Sequence, residues 1–190
     1  MRWIVPILAL LALPLSLDAQ NNPSDIRLRL AQSYEKSGDY ESALRVYNEL
    51  FSSDSGNFSL IESLKRCHLM LKQHDEVIAL IDHGLKLHPR DIGALSQLGN
   101  VWFLKGDESR ALGAWHRAIA VDPNDETTYR VVGSSMIQVR QFEHAVETYR
   151  AARKNLGNPT TFASDIAYLY GIMQKFREST EEYLVLLRQT

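Results

Sequence analysis

The sequence predicts an all-α solenoid built from about five helical hairpins. Apolar residues recur every 34 residues through almost the whole chain. Within each 34-residue unit they recur every three or four residues, which is the spacing of an amphipathic helix. Polar breaks, several of them containing glycine or proline, separate these helical runs. Repetition at this period is typical of helical hairpins that stack on one another and share a continuous core.

Large and small residues keep the 34-residue spacing in separate columns. A small residue lets the two helices of a hairpin approach, while a neighbouring tyrosine or tryptophan fills the groove between them. The large columns are Leu30, Leu64, Leu98, Val132 and Ile166; Tyr34, His68, Trp102, Met136 and Tyr170; and Tyr47, Ile81, Trp115, Tyr149 and Tyr183. The small columns are Ala31, Gly99, Gly133 and Ala167, interrupted by Lys65, and Ala43, Val77, Ala111, Ala145 and Ser179.

The turn residues predict where each hairpin bends. Gly38 and Gly106 can adopt the left-handed conformation that ends a helix, and Asp39 and Asp107 can cap the helix that follows. The proline pairs His88-Pro89 and Asp122-Pro123 separate successive units. We therefore assign residues 24–190 to one repeat domain. Its units start at Ser24, Phe58, Ile92, Glu126 and Thr160, and the last is incomplete.

These residues resemble the tetratricopeptide repeat family over the whole chain after residue 23. The third unit carries the resemblance best, and the second unit departs most from the family pattern, through Lys65, His68, Lys72 and His74. The Asn158-Pro159 pair also comes two residues later than the pattern. The third unit matches through Leu98-Gly99, Trp102, Gly106-Asp107, Ala111, Trp115, Ala118 and Asp122-Pro123. The resemblance implies a right-handed superhelix that binds proteins.

The first 19 residues have the layout of a secretory signal peptide. Arg2 and the α-amino group supply positive charge, an apolar run extends from Trp3 to Leu17, and the chain turns polar from Gln20. We expect cleavage after Ala19 and a lead-in of residues 20–23. The alternative is an uncleaved membrane anchor, although the run is shorter than the roughly 20 residues that cross a bilayer. The predicted location is therefore the periplasm or the exterior of a cell.

Composition and motifs argue against several function classes. With 21 Lys+Arg against 23 Asp+Glu, the chain lacks the basic surplus that nucleic-acid binding requires. The only cysteine, Cys67, is interpreted as a small hydrophobic residue, and no two of the six histidines have the spacing of a metal pair on one helix face. No nucleophile stands beside a base, and no phosphate-binding loop is visible. We expect no enzyme activity, no metal and no cofactor.

The resemblance implies that the first helices of the units line a concave groove that receives a peptide or a protein segment. Polar residues near its centre and apolar residues along one edge favour a partner with apolar anchors and an acidic or carboxylate group. The predicted groove residues are Glu62, Arg66, Leu69, Asn100, Phe103, Arg130, Ile137 and Tyr168.

The predicted function is that of an exported scaffold or adaptor that binds proteins. Two alternatives stay open. The chain could be the docking or regulatory arm of a larger enzyme that continues beyond Thr190. It could also be a structural scaffold that assembles with itself, because the stretch Tyr183-Leu184-Val185-Leu186-Leu187 is apolar on nearly every side of its helix. That apolar end favours either truncation of a longer chain or contact with a partner.

Overall fold

The computed structural model describes residues 22–187, which form ten α-helices and no strand within that range. The predicted signal peptide lies outside the described residues. The helices are α1 (Pro23–Ser37), α2 (Tyr40–Ser53), α3 (Phe58–Met70), α4 (His74–Leu87), α5 (Ile92–Leu104), α6 (Glu108–Val121), α7 (Glu126–Gln138), α8 (Phe142–Leu156), α9 (Ala163–Ile172) and α10 (Phe176–Leu187).

The ten helices form five successive hairpins, and the predicted all-α solenoid is confirmed. Each odd-numbered helix packs on the even-numbered helix that follows it, and each even-numbered helix packs on the first helix of the next hairpin. In the centre of the chain, α5 also packs directly on α7. The odd-numbered helices therefore form one layer and the even-numbered helices the other.

The hairpin turns follow the glycine and aspartate prediction. Gly38 and Gly106 have φ angles of 83° and 88°, in the left-handed region that glycine tolerates. Asp39 accepts a hydrogen bond from the backbone N–H of Ser42, and Asp107 accepts one from that of Arg110. Both aspartates thus satisfy donors at the start of the second helix.

Three other hairpins make the same turn without glycine. Lys72, Arg140 and Gln174 occupy the register of Gly38 and Gly106, and their φ angles are 57°, 61° and 60°. A side chain in this region places its Cβ close to a carbonyl oxygen, which costs roughly 1–2 kcal/mol. The 34-residue register imposes the left-handed turn on every unit, whatever residue stands there.

We expect Lys72→Gly and Gln174→Gly each to raise the free energy of unfolding by about 1 kcal/mol, because glycine removes the Cβ that strains the turn. Chemical denaturation measures the change. Gly106→Ala is the matched control and should lower stability by a similar amount. A loss of stability in both glycine variants would contradict this account of the turns.

The small and aromatic columns meet inside the hairpins, as the sequence predicts. A Cβ added to Gly99 would lie less than 3.0 Å from the indole of Trp115, and one added to Gly133 would lie equally close to the ring of Tyr149. Trp115 is fully buried. The absence of a side chain at these glycines is thus what admits the large ring.

The second hairpin solves the same packing problem with different residues. Lys65 stands where the other units have alanine or glycine, and the residue in the aromatic column is the smaller Ile81. The ammonium group of the buried Lys65 lies 2.6 Å from Glu62 Oε1 and donates to Gln97 Oε1, also at 2.6 Å. The hydrophobic core also divides at this second hairpin. One cluster of buried apolar residues comes from α1–α3, and the other comes from α4–α9.

The fifth hairpin starts late and is held by ion pairs. Helix α9 begins at Ala163, after Phe162 takes a left-handed φ of 57° and stacks on Tyr149 with ring centroids 4.3 Å apart. The buried carboxylate of Glu182 in α10 accepts hydrogen bonds from two α8 guanidinium groups, those of Arg150 at 3.3 Å and Arg153 at 2.6 Å. These bonds tie the last helix to the preceding hairpin.

Candidate functional site

The candidate site is a surface on the odd-numbered helices. Seven of the eight predicted groove residues are exposed or half-buried there, and Asn100 is buried. Leu69, Phe103 and Ile137 occupy equivalent positions on α3, α5 and α7 and supply apolar surface to this layer. Tyr168 extends the layer onto α9 and is largely exposed.

A second apolar column runs beside Leu69, Phe103 and Ile137, and the sequence reasoning missed it. Met70, Leu104 and Ile172 are the last residues of α3, α5 and α9, and their exposed fractions are 60%, 50% and 42%. Their 34-residue spacing was a usable signal, since they share one register with Lys36 and Gln138. We use the name apolar ledge for the six residues Leu69, Met70, Phe103, Leu104, Ile137 and Ile172.

An open cavity of about 700 Å³ lies at the α1–α3 end of the ledge. Leu69, Met70 and Tyr40 supply its apolar surface, and Lys36 and Arg66 supply positive charge. Gln32 and Glu35 complete the lining. The cavity can therefore accept an apolar side chain beside a polar or charged group.

Arg66 has an intramolecular partner at the edge of this cavity. Its Nε donates to Glu35 Oε1 at 2.8 Å, and the Tyr47 hydroxyl donates to Glu35 Oε2 at 2.7 Å. The hydrogen bond from Arg66, followed by that from Tyr47, lowers the pKa of Glu35. Burial raises the pKa of Tyr47 to about 12, and the bond to Glu35 acts in the same direction. Glu35 is therefore held as a carboxylate, and its stabilising contribution is lost when acid protonates it.

Asn100 is buried between helices rather than exposed in a groove, which corrects its predicted position. Its Oδ1 accepts hydrogen bonds from the Trp115 indole at 3.3 Å and from the Ser135 hydroxyl at 2.7 Å. The backbone oxygen of Ser96 accepts from the same two donors. The physical reason is the glycine at position 99, which lets the polar edge of Trp115 reach the first-helix layer and bind Asn100 there.

Arg130 and Glu62 are also paired within the chain. The Arg130 guanidinium donates to Glu126 Oε1 at 2.6 Å and lies 4.8 Å from the ring centre of Phe162. Glu62 pairs with Lys65, as described above. The three charged residues of the predicted groove, Glu62, Arg66 and Arg130, thus lie on the first helices, and all three are paired with neighbours in the chain. The side chains of Arg66 and Arg130 remain about half exposed.

Cys67 is confirmed as a buried structural residue. It is fully buried in the α1–α3 cluster, and burial raises the pKa of its thiol to about 11. The thiolate that nucleophilic chemistry requires is therefore disfavoured at neutral pH. Within residues 22–187, no group of three or more His, Cys, Asp or Glu side chains is arranged to hold a metal ion.

Solved structures of other proteins share this fold. A structure of MamA from Desulfovibrio magneticus RS-1 aligns with a TM-score of 0.53 and 17% identity, covering 88% of this chain and 95% of that one. TTC0263, a thermophilic tetratricopeptide repeat protein of Thermus thermophilus, aligns with a TM-score of 0.50 and 20% identity, covering 88% of this chain and 91% of that one. The chain has the tetratricopeptide repeat fold. Its repeats are the 34-residue hairpins described above.

Sequence relatives match this chain over only part of their own lengths. The BBSome complex member BBS4 of Bos taurus is 25% identical over 134 residues, which are 70% of this chain and 24% of BBS4. SEC of Arabidopsis thaliana, a probable UDP-N-acetylglucosamine:peptide N-acetylglucosaminyltransferase, is 30% identical over 91 residues, which are 46% of this chain and 9% of SEC. No family model matches the chain. The chain thus spans well under half the length of these two relatives.

Proposed function

We propose that the protein is an interaction scaffold that binds a segment of another protein along its first-helix layer. The observation that carries the proposal is the apolar ledge. Met70 and Leu104 are at least half exposed at the ends of successive first helices, where an isolated chain gains nothing from apolar surface. A bound segment would remove that surface from water, which is the main favourable term in protein association.

The residues that line the first-helix layer indicate which kind of partner segment would fit it. Beside the ledge, α5 and α7 contribute mainly uncharged polar groups, such as Ser134 and Gln138. A segment with apolar anchors and few charges fits this part. At the α1–α3 end, the exposed half of Arg66 and the nearby Lys36 can still attract a carboxylate of the partner, in competition with Glu35.

Binding can be tested with peptides selected on the purified protein from a random phage-displayed library. We expect Met70→Ser combined with Leu104→Ser to weaken a selected peptide about tenfold or more, since each truncation removes an apolar contact. Both residues are exposed, so the fold should survive. Leu87→Ser, at an exposed leucine on α4, is the matched control. Equal affinity of the double variant and the wild type would overturn the proposed surface.

Charge reversal at Arg66 and Arg130 would be a less direct test of the surface. Reversing Arg66 and Arg130 would break the pairs with Glu35 and Glu126, so weaker binding would not separate a lost contact from a disturbed fold. Met70 and Leu104 are uncharged and exposed, so serine at these positions disturbs neither an ion pair nor the core. The ledge variants therefore report on binding more directly.

Export is proposed from the N-terminal sequence, and docking to a larger enzyme is the second candidate. The proposal of export rests on the layout of residues 1–19. The docking role is favoured by the likeness to SEC, whose name describes a transferase. No helix among residues 22–187 is long and apolar enough to cross a membrane. The intact mass of the native polypeptide tests both candidates. A start at Gln20 supports cleavage and export, whereas retention of Met1 contradicts cleavage. A mass exceeding that of the 190 residues supports the enzyme arm.

A further inference from the structure

A cavity of about 200 Å³ lies between the second and third hairpins, and residues of α3, α4 and α5 line it. We call it the junction cavity. Phe58, the first residue of α3, is part of its lining. Met70 of the apolar ledge is the last residue of the same helix, roughly 18 Å away along the helix axis. The junction cavity is therefore a different site from the ledge.

Two small residues leave the space of the junction cavity unfilled. Gly84 of α4 and Ala94 of α5 are half-buried there. At the next junction, the same registers hold Ala118 and Thr128, which are both almost fully buried. A Cβ added to Gly84 would meet nothing within 4 Å. The second hairpin thus lacks side-chain volume at a place where the third hairpin has it, and this volume is available to an occupant.

A buried ammonium group also lines the junction cavity. The Lys65 side chain is only 9% exposed, and its acceptors Glu62 and Gln97 belong to the same lining. An ammonium group has three N–H donors, so these two acceptors among residues 22–187 leave the third donor for an oxygen of the occupant. Glu62 already balances the charge of Lys65. An uncharged acceptor, such as a peptide carbonyl, therefore fits here better than a carboxylate, which would add an unpaired negative charge.

The size and the surroundings of the junction cavity point to a side chain of another protein as its occupant. Small-molecule sites usually have volumes of about 300 to 1,000 Å³, so this smaller space fits a single large apolar side chain. Phe58 and Leu87 line the cavity and are 70% and 58% exposed, which places them at its opening. Apolar surface therefore continues outside the cavity, where the rest of a bound segment would lie.

We propose that the junction cavity is a second docking site, which binds an uncharged stretch of a partner protein. One leucine, methionine or phenylalanine side chain of the partner fills the cavity, and a backbone carbonyl beside it accepts a hydrogen bond from Lys65. An apolar anchor in a desolvated pocket is the kind of contact that supplies most of the binding energy in protein interfaces. A scaffold with sites at both ends of its first helices can hold two segments at once.

A peptide library with counter-selection tests the junction cavity. Gly84→Met fills the cavity and replaces a helical glycine, so the fold should persist, which circular dichroism verifies. Ala94→Leu is a second filling variant, in the register where α3 has the buried Leu60. A random phage-displayed library is depleted on Gly84→Met and then selected on the wild type. We expect peptides with a large apolar residue that bind both filled variants and Leu87→Ser at least about tenfold more weakly than the wild type.

Gly113→Met is the matched control, because it adds the same side chain to a helical glycine outside the junction cavity. The selected peptides should bind this control like the wild type. They should also bind the Met70→Ser, Leu104→Ser double variant equally well, so failure of the cavity and failure of the ledge are distinguishable. The proposal would be overturned if no peptide survived depletion, if the filled variants bound equally well, or if binding required an acidic residue in the peptide.

Discussion

Replacing Gly99 with alanine is expected to lower the free energy of unfolding by about 3 kcal/mol, the upper part of the usual range for overpacking a core. The new methyl group would enter the space of the buried Trp115 indole. That ring is also held by hydrogen bonds to Ser96 and Asn100, so it cannot retreat without losing them. Chemical denaturation measures the loss.

Gly113→Ala is the matched control for this substitution. Gly113 lies inside α6, and an added Cβ would meet nothing within 4 Å. Alanine is the better helix former by about 1 kcal/mol, so this variant should gain stability. Glycine-to-alanine substitution is thus expected to lower the free energy of unfolding at Gly99 and to raise it at Gly113. A gain at both positions would show that the close approach of Gly99 to Trp115 carries no energy.

A double variant tests the pairing itself. The second hairpin already combines a larger residue, Lys65, with the smaller Ile81. Trp115→Ile alone should cost about 3 kcal/mol through the cavity it leaves. Combined with Gly99→Ala, it should cost clearly less than the sum of the two, because the isoleucine leaves room for the new methyl group. Strict additivity would contradict direct coupling between the two positions.

Replacing Glu182 with alanine is expected to destabilise the fifth hairpin by about 3 kcal/mol, because breaking a buried ion pair leaves its partner charge uncompensated. The partner most affected is Arg153, whose side chain is itself only 15% exposed. Native-state hydrogen exchange of the α9 and α10 amides measures the change where it acts, since repeat proteins can open one unit at a time.

Glu181→Ala is the control on the same helix. Glu181 pairs with Arg177 on an exposed surface, and such pairs contribute little, typically below about 1 kcal/mol. Protection of α9 should therefore hardly change in this variant. If Glu181→Ala and Glu182→Ala reduced protection equally, burial of the α8–α10 ion pairs would not explain how the last hairpin is held.

The fold was predictable because one period constrains every element. The glycine–aspartate pairs at 38–39 and 106–107 marked two of the turns directly. The turns at Lys72, Arg140 and Gln174 have no local signal, since lysine, arginine and glutamine do not favour a left-handed backbone. They follow only from the register. The late start of α9 depends on the left-handed Phe162 and its stacking on Tyr149, a tertiary contact that spacing does not reveal.

The candidate site was only partly predictable. Spacing placed Leu69, Phe103 and Ile137 on the first helices, where the structure has them, and the same spacing would have found Met70 and Leu104. Spacing does not reveal which polar side chains already have hydrogen-bond partners within the chain. Asn100 accepts a hydrogen bond from the Trp115 indole, which reaches it past Gly99. Arg66 donates a hydrogen bond to Glu35 of the preceding hairpin. Partners from neighbouring units are a property of how the hairpins stack.

Site-specific photo-crosslinking tests the central claim, that the first-helix layer binds a protein segment. A photoreactive amino acid is introduced at Leu104, on the apolar ledge, or at the exposed His116 of α6, on the other layer. Irradiation is carried out in the native cells. The account predicts a discrete cross-linked protein from position 104 that is absent from position 116 and is lost when Met70→Ser is added. Equal cross-linking from both positions, or none from position 104, would contradict it.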